Sequence, residues 1–217
     1  MTDITDEAPA IAEAENILLW AAGRNPGRWV AHSRVAARAA KVIAENCRPA
    51  AVNPLSGRGL NAQRAYIFGL LHDIGRYEGQ RYMHHIIAGY ELLHKKGMDL
   101  SARICLTHSF PYQKMESYLG ARDCSAEELA FIESFLSVAV YDDYDKLIQL
   151  CDAVALPEGV CLVETRLIDV AMRYGFSDYT REKWKAVFQL KEYFSGLCGQ
   201  SIYELFADEV RRNSFSL

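Results

Sequence analysis

The sequence predicts an all-α protein. Apolar residues recur at helical spacing along nearly the whole chain. No run alternates apolar and polar residues for long enough to make a strand. Glycine and proline fall between the periodic stretches, where they end one helix and admit the next.

In order, the periodic stretches make ten helices. "EAENILLWAAG" is the first, ended by Gly23. "GRWVAHSRVAARAAKVIAENC" is the second, ended before Pro49, and "RPAAVNPLSGRG" is a loop. "LNAQRAYIFGLLHDIG" is the third and most apolar, with Gly75 as the left-handed residue that ends it. "RYMHHIIAGYELLHKKG" is the fourth, stopped by Gly97, and "DLSARICLTHSF" the fifth, stopped by Pro111. The sixth opens at Ser125 on an S-x-E-E capping pattern. The seventh, "DDYDKLIQLCDAVAL", opens on acids that suit a helix N-terminus and stops at Pro157. "GVCLVETRLIDVAMRYG", "SDYTREKWKAVFQLKEYF" and "SIYELFADEVRRN" complete the chain.

Composition narrows the function. A chain of 217 residues that is half hydrophobic can bury a core without a structural metal. A net charge of -4 lacks the basic footprint of a duplex nucleic-acid binder. Six scattered cysteines, none in a C-x-x-C pair, exclude a zinc finger and suit a reducing compartment. The acidic start "MTDITDEAPA" is no secretion signal, and no apolar run has membrane-spanning length. The expectation is a cytoplasmic protein without a membrane partner.

Helical periodicity then sorts the polar residues by face. His32 shares a stripe with Trp29, Ala36, Ala39 and Ile43, opposite Arg34, Arg38 and Lys41. His72 follows Ala65 and Gly69, two small residues that allow close packing. Tyr82, His85, Gly89 and Leu93 form the apolar face of the fourth helix, while His84 and His94 fall outside it. His108 follows Ile104, and Asp152 follows Ile148. Each such residue alone reads as a core group with its own partner. Together with Asp73, four histidines and two aspartates from five helices share the inward side. One or two divalent cations would satisfy all six, with iron, manganese, cobalt, nickel or zinc suited to the ligands and magnesium a further choice. Asp73 can bridge two metals, one oxygen to each.

His32, the adjacent His72-Asp73 inside "LLHDIGR", and Asp152 in "YDKLIQLCDA" resemble the HD-domain superfamily of metal-dependent phosphohydrolases. The resemblance covers residues 28–156. It implies three parts: an N-terminal helix over 1–27, an HD metal-binding domain over 28–156, and a C-terminal helical extension over 157–217 packed on the same core. His85 with Gly89 four residues on, and His108 in "ICLTHSF", are similar to the dinuclear members, in particular bacterial hydrolases of diadenosine tetraphosphate. "GRYEG" and Ser109 depart from the cyclic-dinucleotide phosphodiesterases of the superfamily.

The resemblance implies that His32, His72, Asp73 and Asp152 hold one metal, and that His85 and His108 hold a second with Asp73 bridging. Water between the metals becomes the nucleophile on a phosphate ester or anhydride of a nucleotide. Asp73 and Arg76 are the expected catalytic groups, and Arg76 turns toward substrate. Lys114 is a further substrate contact, with Arg81 and Lys146 weaker candidates. Two other readings keep the same residues. A di-iron oxygenase of the HD fold uses the same ligand set. A nucleotide-binding or dimerising module would use Trp184, Phe188, Phe194, Ile202, Leu205 and Phe206 as a homodimer face, although aromatic stripes more often pack a core. Asp145 reads as an exposed acid or a group that orients a ligand histidine, and Glu164 with Arg166 as a surface pair.

Overall fold

The computed structural model describes residues 10–48 and 59–215. The loop expected over 48–59 and the acidic start lie almost wholly outside the described residues. Ten α-helices follow one another: α1 (Ile11–Arg24), α2 (Arg28–Asn46), α3 (Ala62–Leu71), α4 (His84–Lys95), α5 (Asp99–Thr107), α6 (Ala126–Val138), α7 (Asp143–Asp152), α8 (Val163–Tyr174), α9 (Thr180–Cys198) and α10 (Ala207–Phe215). The all-α class therefore holds. One correction is a two-residue hairpin, β1 (Ala155–Leu156) antiparallel to β2 (Gly159–Val160). Strands this short, turning at Pro157-Glu158, carry no readable alternation.

Local chemistry sets the helix starts. Asn61 caps α3 by accepting from the Arg64 N–H at 2.9 Å. The expected cap of α6 is a full capping box between Ser125 and Glu128. A second box, Asp142 with Asp145, opens α7. Asp123 anchors the start of α4 by accepting from the backbone N–H of Tyr82 and His84, at 3.0 and 2.9 Å.

The packing centre is α3, buried between α2, α5 and α7. A Cβ at Gly69 would stand 2.6 Å from the Ala37 Cα, so only glycine lets α3 approach α2 this closely. Phe194, Ile202 and Phe206 from the last third of the chain lie in the same buried cluster as Ile43, Leu70 and Leu147. Trp184, Phe188 and Leu205 pack against that cluster, as a core stripe would.

Two corrections concern the approach to the site. Helix α3 stops at Leu71, and a 3₁₀ turn runs over Ile74–Glu78. Gly75 is not left-handed; the first positive φ after α3 belongs to Gly79, at 116°. Gly75 serves close contact instead, since a Cβ there would strike the His85 carbonyl on α4. Tyr82 precedes α4 and is exposed, so it is not part of that helix's apolar face.

Candidate metal centre

Each histidine of the inward set is delivered by a helix end or a helix interior that its neighbours lock. His72 is the C-cap of α3 and His108 the C-cap of α5. His85 lies in the first turn of α4, and His32 in α2. Asp73 follows His72 at the start of the 3₁₀ turn, and Asp152 ends α7. All four imidazoles and Asp73 are buried, and Asp152 is partly exposed.

The rings are held the same way. Each Nδ1 faces a backbone carbonyl: His32 that of Ala155 at 3.1 Å, His72 that of Gly69 at 2.7 Å, His108 that of Cys105 at 2.9 Å, and His85 that of Tyr82. A carbonyl only accepts, so each Nδ1 carries the proton, and each ring turns inward its Nε2, the nitrogen that holds the lone pair in the neutral form. Burial lowers the His72 pKa from its ordinary value and that of His108 to about 3, which keeps both rings neutral.

Those lone pairs meet. Nε2 of His32 is 3.3 Å from Nε2 of His72, and Nε2 of His85 is 3.4 Å from Nε2 of His108. Two lone pairs at such distances repel unless a cation lies between them. A carboxylate completes each pair. Asp152 Oδ1 is 3.0 Å from His32 Nε2, and Asp73 Oδ1 is 3.1 Å from His85 Nε2 and 3.6 Å from His108 Nε2. Burial opposes the charge on both acids. The Arg76 guanidinium outweighs it at Asp73, and Arg166 stands near Asp152; both carboxyls are held below the usual carboxylate range. The result is two groups that can hold metal ions, His32–His72–Asp152 and Asp73–His85–His108.

The surrounding residues explain the alignment. The hairpin carbonyl of Ala155 orients His32. Gly89 admits the Gly75 backbone and the Cys105 side chain, which brings the turn carrying Asp73 against the helix carrying His85. Asp145 is not exposed: it is fully buried, accepting from Thr107 Oγ1 and Arg103 at 2.7 Å each. The Gln149 amide donates to the Thr107 carbonyl at 3.0 Å. These bonds tie the end of α5, just before His108, to the helix that carries Asp152.

A cavity of about 530 Å³ opens over both groups. Arg28, Arg76, Arg81, Arg166, Arg173 and Lys183 line it, against Asp73, Asp152 and Asp169 as its acids. A net positive lining in a chain of net charge -4 attracts an anionic ligand. Arg76 lies at this wall, but its Nε donates to Asp73 Oδ2 at 2.6 Å, where a turn toward substrate was expected. Lys114 is not among the lining residues; its ammonium lies over the Tyr179 ring. Lys146 pairs with Asp143.

Two lining cations lie beyond the expected set. Arg166 is no surface pair with Glu164: its Nη1 reaches Asp169 at 3.1 Å and its Nη2 is 3.8 Å from Asp152, while Glu164 accepts from the Tyr203 hydroxyl. Lys183 extends from α9 to the Ser109 carbonyl at 3.1 Å. Neither has a motif; what brings them in is the return of α8 and α9 over the bundle.

The HD-domain family model matches residues 29–156, more than half of the chain. No curated protein and no solved structure matches the chain. The chain belongs to the HD-domain family.

Proposed function

From this family membership, we propose that the protein is a dinuclear metal-dependent phosphohydrolase acting on a small phosphate ester or anhydride, with a nucleotide as the substrate class. The observation that carries the reading is the convergence of four Nε2 lone pairs and two ionised carboxylates beneath a cation-lined cavity. His32, His72 and Asp152 would hold one ion, and Asp73, His85 and His108 the other. Such ions supply Lewis acidity toward a phosphoryl oxygen and acidify a coordinated water.

The chain's own groups do the rest. The carbonyls of Gly69, Tyr82, Cys105 and Ala155 hold the ring protons on Nδ1, so no ligand loses its lone pair to the wrong tautomer. Arg76 neutralises Asp73 and stands at the cavity wall, where a substrate oxygen can compete for its remaining N–H groups. Trp29, Tyr82, Tyr118 and Tyr174 line the same cavity and offer ring faces to a base. The volume falls within the range of small-molecule sites.

The test is hydrolysis of a nucleotide phosphoester panel under argon with manganese, together with metal content per chain by elemental mass spectrometry. Two metals per chain and oxygen-independent phosphate release are expected, with release abolished in His72→Ala. Activity that requires oxygen and consumes it would transfer the site to oxygenase chemistry. Hydrolysis unaffected by His72→Ala would overturn the proposal.

A further inference from the structure

The family-matched segment ends at residue 156, yet the cavity over the two groups is closed by α8 and α9. Its lining cations differ in what they already hold. Arg76 is committed to Asp73, Arg28 to Glu158 and Arg173 to Asp169, at 2.6, 2.5 and 2.7 Å. Arg81 is exposed. Arg166 and Lys183 remain incompletely used. The Arg166 Nε is buried and makes no hydrogen bond. The Lys183 ammonium has three donors, donates to the Ser109 carbonyl, and forms no ion pair among the described residues.

Their positions are complementary. Arg166 stands beside Asp152 of one group. Lys183 stands beside Ser109, the residue after His108 of the other. Both residues line the one cavity, on two sides of the candidate centre. A flat carboxylate offers two oxygens in one plane, whereas a tetrahedral phosphoryl group can meet metals and donors from several directions at once.

We propose that Arg166 and Lys183 bind oxygens of the phosphoryl group that is hydrolysed, so that helices outside the family-matched segment complete the substrate site. This rests on the phosphohydrolase reading above. Because both residues lie in the C-terminal third, that part of the chain would set how tightly the phosphoryl group is held over the metal ligands.

The experiment is titration calorimetry of inorganic phosphate into the full chain, metal-loaded and metal-free, for wild type, Arg166→Gln, Arg166→Lys and Lys183→Gln. Metal content is measured on each. Arg166→Gln and Lys183→Gln should each weaken phosphate binding at least about tenfold with metal content unchanged. Arg166→Lys should recover part of the loss, since it keeps the charge and loses the Nε donor. Should Arg166→Gln disturb Asp152 and shed metal, Arg166→Lys and Lys183→Gln decide. Wild-type affinity in those variants would overturn the proposal, as would a wild-type protein that binds no phosphate in either form. A chain that takes up no metal would instead sink the phosphohydrolase reading, while the affinity ratios of the metal-free proteins would still judge Arg166 and Lys183.

Discussion

The two histidine–aspartate groups are alike in composition and unlike in origin. Asp73, His85 and His108 come from one stretch of the chain, braced where Gly75, Gly89 and Cys105 crowd together. His32, His72 and Asp152 are gathered from α2, α3 and α7, and the hairpin beyond α7 aims His32. The first group lies deeper beneath the cavity: its aspartate side chain is 6% exposed, against 27% for Asp152. One group depends on a tight local junction, the other on correct assembly of distant segments, and only the second opens toward Arg166.

Removing each carboxylate in turn separates the two groups most strongly. Asp73 also lies 3.9 Å from His72, so it faces both groups, whereas Asp152 faces only its own. Asp73→Asn should shed both metals and lower phosphate release at least about a thousandfold. Asp152→Asn should shed one. Elemental mass spectrometry and turnover assays check both, and equal metal loss in the two variants would remove the asymmetry.

Gly75→Ala probes the local junction alone. The added methyl strikes the His85 carbonyl, so a stability loss of about 3 kcal/mol is expected in urea unfolding. The surviving folded fraction should lose the metal of the Asp73 group first. An alanine variant of wild-type stability would show that the turn can yield.

A pH dependence is common to both groups, because each contains one histidine whose pKa burial depresses, His72 and His108. In metal-free protein the unfolded chain binds protons at these positions below about pH 6.5, and the folded chain does not. Stability should therefore fall as pH drops from 6.5 toward 4, by up to about 1.4 kcal/mol per pH unit at His108, with His72 adding a loss in the same direction. Asp73 and Asp152, depressed in the folded state, add a loss only as pH falls below the ordinary carboxylate range. Urea midpoints at pH 7 and 5 measure the histidine part. Unchanged midpoints would mean that the rings charge in place.

Much of this was legible in the residues. Periodicity alone put His32, His72, His85 and His108 on inward faces, because a buried face repeats every three to four residues. It could not find Arg166 or Lys183, whose relevance arises only when α8 and α9 fold back over the bundle. Only the exposed reading of Asp145 fails, because its partners, Arg103 and Thr107, lie about forty residues away on another helix. Gly75 was read through its backbone freedom, when its use is the space it leaves for α4.

Three of the four rings are pinned by the carbonyl three residues upstream in their own segment: His72 by Gly69, His85 by Tyr82, His108 by Cys105. Their rotamers are thus restrained by short-range contacts before any ion arrives. The ordering entropy of the ligands is spent during folding rather than at capture. An ion taken up there would meet a preorganised scaffold, and a second could replace it without the chain having to rebuild the cage around it.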